Sequence, residues 1–299
     1  MDSASTGVIG VGSMGLAVVQ RLRERGLPVS VRDLLGEREA VAARDGAQAC
    51  ATPAALARQC NVVIVAVVDA AQTEGVLFGS DGVAAGARRG ACVILCPTIA
   101  PESVESLAAR LDAAGLDWIE APMSGGPVRA RAGTMSLMVA CRDAVFDRHV
   151  SLLATLADPV FRLGERAGDG ARVKLVNNLL AAINLAGAAE AIALAERVGL
   201  DPALALAVIE RSSGQSWIGT DRMRRALQGE LTPHARSALL AKDSALALAM
   251  ASAAGIDMSL GSAAARVFAS FVAAGGADLD DSSLLDHLRS VAYPLADHS

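Results

Sequence analysis

Thr6-Gly7-Val8-Ile9-Gly10-Val11-Gly12-Ser13-Met14-Gly15 is the stretch that decides the fold of this 299-residue chain. The apolar residues before Gly10 predict a short buried strand, and the residues after Gly15 have the spacing of an amphipathic helix. In the intervening Gly-x-Gly-x-x-Gly, Gly10 permits a tight turn, Gly12 lets the backbone approach a pyrophosphate, and Gly15 allows close helix–strand packing. Free N–H groups at the helix start can hold the phosphates. The stretch therefore predicts a dinucleotide-binding unit.

An acidic residue stands about 20 positions further on, where such a unit requires it. Asp33 follows the predicted strand Pro28-Val29-Ser30-Val31-Arg32. Its carboxylate can accept hydrogen bonds from ribose hydroxyls and repel a 2′-phosphate, which favours NAD over NADP. Arg32 could offer that phosphate a partner, but successive side chains of a strand alternate between faces, so Arg32 and Asp33 should point to opposite sides.

Composition predicts a cytoplasmic protein without a membrane or nucleic-acid partner. The mean hydropathy is +0.40, yet the most apolar stretch, residues 179–194, is interrupted by Asn184 and Glu190, so we expect no membrane span. The first residues lack the basic and apolar regions of a signal peptide. A net charge of −5 disfavours a nucleic-acid surface.

The cysteines and histidines predict neither disulfides nor a metal site. Five cysteines without a Cys-x-x-Cys pair indicate reduced thiols. Cys92 and Cys96 lie on one predicted strand and are expected to fill the core. The four histidines are scattered without the spacing of metal ligands.

The chain changes character near residue 165. Before it, helical segments such as residues 101–114 separate predicted strands at residues 7–11, 29–32, 62–68, 92–96, 118–121 and 137–140. This alternation predicts a doubly wound parallel sheet. After it, we predict helices over residues 174–198, 202–212, 217–228, 236–254, 260–274 and 282–291. The predicted architecture is α/β: a Rossmann-type domain, residues 1–164, followed by an all-α domain, residues 165–299.

One predicted helix carries two polar residues on the same face. Lys174 and Asn178 are four residues apart at the start of an otherwise apolar segment, so they lie one turn apart on one face. They could bind one small polar ligand; alternatively, Lys174 snorkels to solvent and Asn178 caps a local bend. A helix of about 25 residues is ~37 Å long. We expect it to span both domains and to offer apolar surface to another subunit.

Four segments, taken together, resemble the β-hydroxyacid dehydrogenase family over essentially the whole chain. The loop 10–15 resembles the family's cofactor loop. Residues 120–126, leading to Gly133-Thr134-Met135, resemble its substrate loop. Residues 168–178 resemble its catalytic segment, and Lys242-Asp243 resembles its late cofactor-contacting pair.

This resemblance implies a 6-phosphogluconate dehydrogenase-like fold and NAD-dependent oxidation of a small hydroxy acid. It implies that Lys174 is the catalytic residue. The implied substrate-binding residues, which would hold a carboxylate, are Ser124, Gly125, Gly126 and Asn178. The implied cofactor-binding residues are Gly10, Val11, Gly12, Ser13, Met14, Gly15, Asp33, Val67, Thr98 and Lys242. A homodimer or homotetramer formed through the helical domain is expected.

The implied chemistry agrees with the residue types. Hydride leaves a carbinol carbon only if the hydroxyl proton also leaves, and a lysine whose pKa is lowered by burial can accept that proton. Ser124 and two glycine amides can cradle a carboxylate, although Ser-Gly-Gly alone is also typical of an ordinary turn. Lys242-Asp243 alone could equally be a surface ion pair.

Several positions depart from the family pattern. Val67-Val68-Asp69-Ala70 lacks the usual proline, Pro97 replaces a common serine, Leu95 replaces an acidic residue, and Arg129 replaces a glycine. Three further segments most resemble the family's L-threonate branch: residues 213–217, 222–223 and 231–233.

The substrate prediction is therefore L-threonate or a similar polyhydroxy acid first, and 3-hydroxyisobutyrate or tartronate semialdehyde second. Two other classes of protein share such a cofactor domain: the imine reductases and a catalytically inactive dinucleotide-binding interaction protein. Lys174 argues against both.

Overall fold

The computed structural model describes residues 5–230 and 232–292, so Leu231 of the last branch segment lies outside the described residues. The described chain divides into two units, the first ending at Lys174 and the second beginning at Leu175.

The strands of the first unit form one sheet. They are β1 Thr6–Ile9, β2 Val29–Arg32, β3 Gln48–Ala49, β4 Val62–Val65, β5 Cys92–Leu95, β6 Asp117–Glu120, β7 Met123–Ser124, β8 Met135–Ala140 and β9 Ala157–Gly164. Their order is β3-β2-β1-β4-β5-β6-β8-β7, with β9 beside β8. The first six of these pair in parallel. The predicted doubly wound sheet is confirmed, and its strand order reverses between β1 and β4.

The parallel direction predicted for the strand at residues 137–140 is wrong. Strand β8, which contains these residues, runs antiparallel to β6 and β7 and parallel to β9. Only two residues separate β6 from β7, and a seven-residue helix separates β7 from β8. Antiparallel neighbours can be joined by short connections, whereas parallel neighbours need a long crossover.

Eight helices accompany the strands of the first unit within the described residues. They are α1 Ser13–Glu24, α2 Gly36–Arg44, α3 Pro53–Gln59, α4 Ala70–Phe78, α5 Val83–Gly86, α6 Pro101–Ala113, α7 Gly126–Ala132 and α8 Asp143–Leu156. Every residue of β1, β4 and β5 is buried, which requires cover on both faces of the sheet. Helix α6 confirms the predicted helix at residues 101–114, with Pro101 in its first turn.

Helices make up the second unit as described. The long helix α9, Asp169–Arg197, begins in the first unit and continues into the second. It is followed by α10 Pro202–Ile209, α11 Trp217–Leu227, α12 Ser237–Ala253, α13 Ser259–Ala273 and α14 Leu284–Ala292. Buried side chains of α9 pack with Phe268 and Leu284 in the core of this unit. The helical architecture predicted after residue 164 is confirmed.

Helix α9 differs from its prediction in two ways. It begins at Asp169, five residues before the predicted start at Lys174. By length and composition alone it could also cross a membrane, and 44% of its most apolar window is buried. The core helix of a globular protein passes the same test of length and composition. The polar residues Asn184 and Glu190 do not keep α9 from passing that test.

Candidate active site

The glycine loop between β1 and α1 has the geometry that the sequence predicted. Gly10 has φ +91°, and a Cβ there would lie 2.7 Å from the carbonyl oxygen of Ala66. A Cβ on Gly15 would lie 1.9 Å from the carbonyl oxygen of Gly10, so only glycine allows this helix–strand approach. Gly12 caps α1 in open space, with Arg38 Nη1 at 3.9 Å as the nearest atom to an added Cβ. No side chain caps α1, so this helix start fits a dinucleotide phosphate.

Asp33 lies at the end of β2 and is tied to that loop. Its Oδ2 accepts the backbone N–H of Val11 at 2.6 Å, and its Oδ1 accepts that of Leu35 at 3.0 Å. The residue is buried. A carboxylate has about four acceptor positions, so Asp33 can hold the loop and still accept a ribose hydroxyl.

The arginine beside Asp33 has a different partner. Arg32 Nη1 lies 2.9 Å from Glu39 Oε1, which also accepts the backbone N–H of Asp33 at 2.9 Å. A second guanidinium, that of Arg38, lies 3.7 Å from Asp33 Oδ1. Two arginines, Arg32 and Arg38, therefore lie near Asp33, and Arg32 is paired with Glu39.

The remaining cofactor candidates of the first unit follow adjacent parallel strands. Val67 comes two residues after β4, and Thr98 comes three residues after β5; both are half-buried. The carboxyl ends of β2, β1, β4 and β5 lie side by side in this sheet. Asp33, the glycine loop, Val67 and Thr98 thus share one edge, next to the reversal of strand order where such sheets bind ligands. In the segment that lacks the usual family proline, Asp69 caps α4 by accepting the N–H of Gln72 at 2.8 Å.

The predicted substrate loop joins a short strand to a short helix. Ser124 ends β7, and α7 begins at Gly126. Gly125 has φ +127° and Gly126 has φ +72°, conformations that favour glycine. Arg129 packs against Gly125, since a Cβ on that glycine would lie 3.1 Å from Arg129 Cδ. The Nε of Arg129 donates a hydrogen bond to the carbonyl of Thr134 at 3.0 Å. The arginine that replaces a family glycine therefore stabilises this turn.

Lys174 lies in the second turn of α9. Only 7% of the residue is exposed. The first turn of the helix is held by a carboxylate from β6: Glu120 accepts the backbone N–H groups of Gly168, Gly170 and Ala171 at 2.8, 3.2 and 2.6 Å. This contact spans about 50 residues of sequence and explains why α9 begins before the predicted residue.

A second carboxylate joins two predicted site residues of the second unit. Asn178 Nδ2 donates to Asp243 Oδ2 at 2.6 Å, and Lys242 Nζ lies 2.7 Å from Asp243 Oδ1. Asp243 is buried. The structure thus brings Asn178 and Lys242 to one carboxylate, so Lys242-Asp243 is more than a surface ion pair.

The lysine count adds a signal that motif reasoning missed. The chain has two lysines among its 27 lysine and arginine residues, and they are Lys174 and Lys242. Arginine supplies positive charge elsewhere and remains protonated at all ordinary pH values, whereas lysine can release its proton. The two lysines of this chain thus occupy two of the positions that the sequence analysis singled out.

Comparison with known proteins identifies the family to which this chain belongs. Residues 5–164 match the family described as the NAD binding domain of 6-phosphogluconate dehydrogenase. Residues 168–288 match the family described as NAD-binding of NADP-dependent 3-hydroxyisobutyrate dehydrogenase. An L-threonate dehydrogenase of Cupriavidus necator is 38% identical, over 98% of this chain and 98% of that protein. The chain belongs to the β-hydroxyacid dehydrogenase family.

Two further relatives show the breadth of similarity. A crystal structure titled 3-hydroxyisobutyrate dehydrogenase, from Salmonella typhimurium, has a TM-score of 0.88 and 33% identity, covering 95% of this chain and 99% of that chain. A 2-hydroxy-3-oxopropionate reductase of Escherichia coli is 29% identical over 96% of this chain and 97% of that protein. This β-hydroxyacid dehydrogenase is accordingly an oxidoreductase that acts on CH–OH groups of small molecules with a nicotinamide dinucleotide.

The cysteines of this dehydrogenase are structural. All five are free and buried, and burial raises the pKa of each thiol, to about 12 for Cys96 and about 11 for Cys141. Such thiols are poor nucleophiles. Within residues 5–230 and 232–292, no group of three histidine, cysteine, aspartate or glutamate side chains could hold a metal ion.

The sequence analysis did not anticipate the contacts of two carboxylates. Glu120 was part of the quoted substrate loop and Asp243 part of the cofactor-contacting Lys-Asp pair, yet neither was listed as a site residue. Both act on positions about 50 to 65 residues away in the chain, and local spacing carries no signal of such contacts.

Proposed function

We propose that this protein oxidises the hydroxyl group of a small polyhydroxy acid with NAD, with L-threonate as the first candidate substrate. The observation that carries the proposal is the buried Lys174, one of only two lysines in the chain. The substrate follows from the 38% identical L-threonate dehydrogenase. Substrates of the more distant relatives, 3-hydroxyisobutyrate and 2-hydroxy-3-oxopropionate (tartronate semialdehyde), are the second candidates.

Lys174 is the general base in this proposal. In its neutral form the amine of the buried Lys174 can take the proton of the substrate hydroxyl. The bound dinucleotide supplies the hydride acceptor. In the reverse direction the Lys174 ammonium returns the proton to the forming alkoxide. Such proton transfer contributes about 10²–10⁴ in rate.

Carboxylate recognition is assigned to Ser124, Gly125, Gly126 and Asn178. Ser124 and the two glycine amides supply donors, and the second hydrogen of the Asn178 amide, beside the one given to Asp243, supplies another. This set would select an acid over its neutral ester.

The dinucleotide is assigned to the cofactor-binding residues that the resemblance implies, and we propose two domains, residues 1–164 and 165–299. The loop 10–15 holds the phosphates, Asp33 the ribose, and Val67, Thr98 and Lys242 the nicotinamide side. Asp33 and the engaged Arg32 favour NAD over NADP. We further propose a cytoplasmic homodimer or homotetramer that assembles through the helical domain.

A substrate screen tests this function. Purified protein is assayed with NAD against C3 and C4 hydroxy acids, including L-threonate and 3-hydroxyisobutyrate, with D-threonate as the stereochemical control. The largest kcat/KM is expected for L-threonate. Binding of NAD without oxidation of any hydroxy acid would instead favour an inactive dinucleotide-binding protein.

A further inference from the structure

Glu120 is a buried carboxylate that the proposed reaction does not use. It ends β6 with 1% of its surface exposed. Both oxygens are occupied: Oε2 accepts the N–H groups of Gly168 and Gly170, and Oε1 accepts that of Ala171. The first N–H groups of a helix have no partner within the helix, so Glu120 satisfies the start of α9 from a neighbouring strand.

The face of α9 that rests on Glu120 is the face that carries Lys174. A Cβ built on Gly170 would lie 2.9 Å from Glu120 Cδ, so Gly170 faces the carboxylate. Lys174 is four residues further along and therefore lies on the same face, one turn on. Side chains of a helix lean towards its N-terminus. The Lys174 side chain thus extends towards the turn that Glu120 holds.

We propose that Glu120 is the positioning residue of Lys174: by fixing the first turn of α9, it sets where the amine of Lys174 stands. The inference rests on the proposed role of Lys174 as general base. Glu120 itself reaches no reacting atom.

The contact requires a carboxylate of this length. A glutamine has one acceptor oxygen and would turn its NH₂ group towards at least one of the three N–H donors. An aspartate keeps the charge but is one methylene shorter. Glu120→Gln and Glu120→Asp should therefore both displace the first turn, for different reasons.

Asp117 offers a matched control on the same strand. It begins β6 and pairs with Arg142 at 2.6 Å and Arg148 at 2.5 Å, both outside α9. Asp117→Asn removes a carboxylate from β6 without touching the start of α9.

Kinetics of the three variants test the proposal, with kcat normalised to the number of NAD-binding sites. Both Glu120 variants should lose about 10- to 100-fold in kcat, since misplacement by about 1 Å can cost this much, while KM for NAD changes less than about twofold. Asp117→Asn should keep the wild-type kcat. A structural role alone would lower the number of NAD-binding sites rather than kcat per site.

A second readout needs no substrate. Because the chain has two lysines, isotope-labelled lysine gives two side-chain NMR signals. The Lys174 signal should move in the Glu120 variants, and the Lys242 signal should not. This result would support the inference even if the wild type oxidised no hydroxy acid, which would refute only the proposed function.

The proposal is overturned if Glu120→Asp and Glu120→Gln retain kcat per site within about twofold and leave the Lys174 signal in place. It is also overturned if Asp117→Asn loses as much kcat as they do. Should Glu120→Gln fail to fold, Glu120→Asp decides alone.

Discussion

The carboxylate of Glu39 holds the guanidinium of Arg32, with Oε1 and Nη1 2.9 Å apart. The same oxygen accepts the backbone N–H of Asp33. One of the two arginines that could bind a 2′-phosphate is thus engaged at the place where NAD and NADP differ, and the other, Arg38, lies 3.7 Å from Asp33 itself. Removing Asp33 alone would leave Arg32 paired with Glu39.

Because Glu39 holds Arg32, we expect that a change of cofactor preference needs two substitutions, one at Asp33 and one at Glu39. Asp33→Ser should lower kcat/KM for NAD about 10- to 150-fold, because it removes a charge-assisted acceptor and the bond to Val11. Adding Glu39→Gln should then raise kcat/KM for NADP, because Arg32 is released. Both cofactors are measured in the wild type and the two variants. A wild type that prefers NADP, or a double variant no better with NADP than Asp33→Ser, contradicts this account.

Asp243→Asn should weaken substrate binding. The variant would present an NH₂ group to Asn178 or Lys242, both of which now donate to the carboxylate. We expect KM for the hydroxy acid to rise about 10-fold or more, the equivalent of one charge-assisted hydrogen bond. Asp257→Asn, an exposed position beyond α12, is the control. An unchanged KM in Asp243→Asn would show that Asp243 does not orient these groups.

Glu120 gives the stability of the protein a dependence on pH. Burial raises the pKa of Glu120 from 4.5 to about 7, although three backbone N–H groups oppose the rise. Between these values the folded protein binds more protons than the unfolded chain, so the free energy of unfolding falls as pH rises from about 4.5 to about 7. The full effect is roughly 3 kcal/mol.

Glu120→Gln should remove this dependence. Urea unfolding is compared between wild type and variant at pH 5 and pH 8, with Asp117→Asn as the control. The wild type should exceed Glu120→Gln in free energy of unfolding by more at pH 5 than at pH 8. A difference in free energy of unfolding that stays constant or grows towards pH 8 would contradict this prediction.

Selection of an acid is the sharpest substrate prediction. Ser124→Ala and Asn178→Ala should each raise KM for the hydroxy acid about 10- to 150-fold, the loss of a charge-assisted hydrogen bond. The methyl ester should react poorly with the wild type. The acid and ester are assayed side by side. If the ester reacts as well as the acid, no carboxylate site exists and the hydroxy-acid assignment is wrong.

The α/β core was predictable because its signals are local. The glycine loop, Asp33 and the apolar strands each occupy a short window whose residue pattern is dictated by backbone geometry, and the alternation of strands with helices predicted the doubly wound sheet. The strands that were missed lack such a pattern: β3 and β7 have two residues each, and β9 carries Pro159 on an edge.

Only the site residues that belong to a local sequence motif could be predicted. Lys174 and Asn178 stood out by helical spacing and by resemblance. Glu120, Glu39 and Asp243 act through a partner brought close by the fold, and a lone carboxylate in a sequence is far more often a solvated surface group. Their roles became visible only with the distances to Ala171, Arg32 and Asn178.

The kinetics of Lys174→Ala, with NAD binding measured on the same preparation, test the central claim most directly. The account predicts that kcat falls about 10²–10⁴-fold, because the amine acts on the substrate hydroxyl, while the affinity for NAD stays within about twofold. Lys174→Arg should be equally impaired, since arginine keeps its proton. A Lys174→Ala variant that retains more than a few per cent of the wild-type kcat would contradict the assignment of Lys174 as general base.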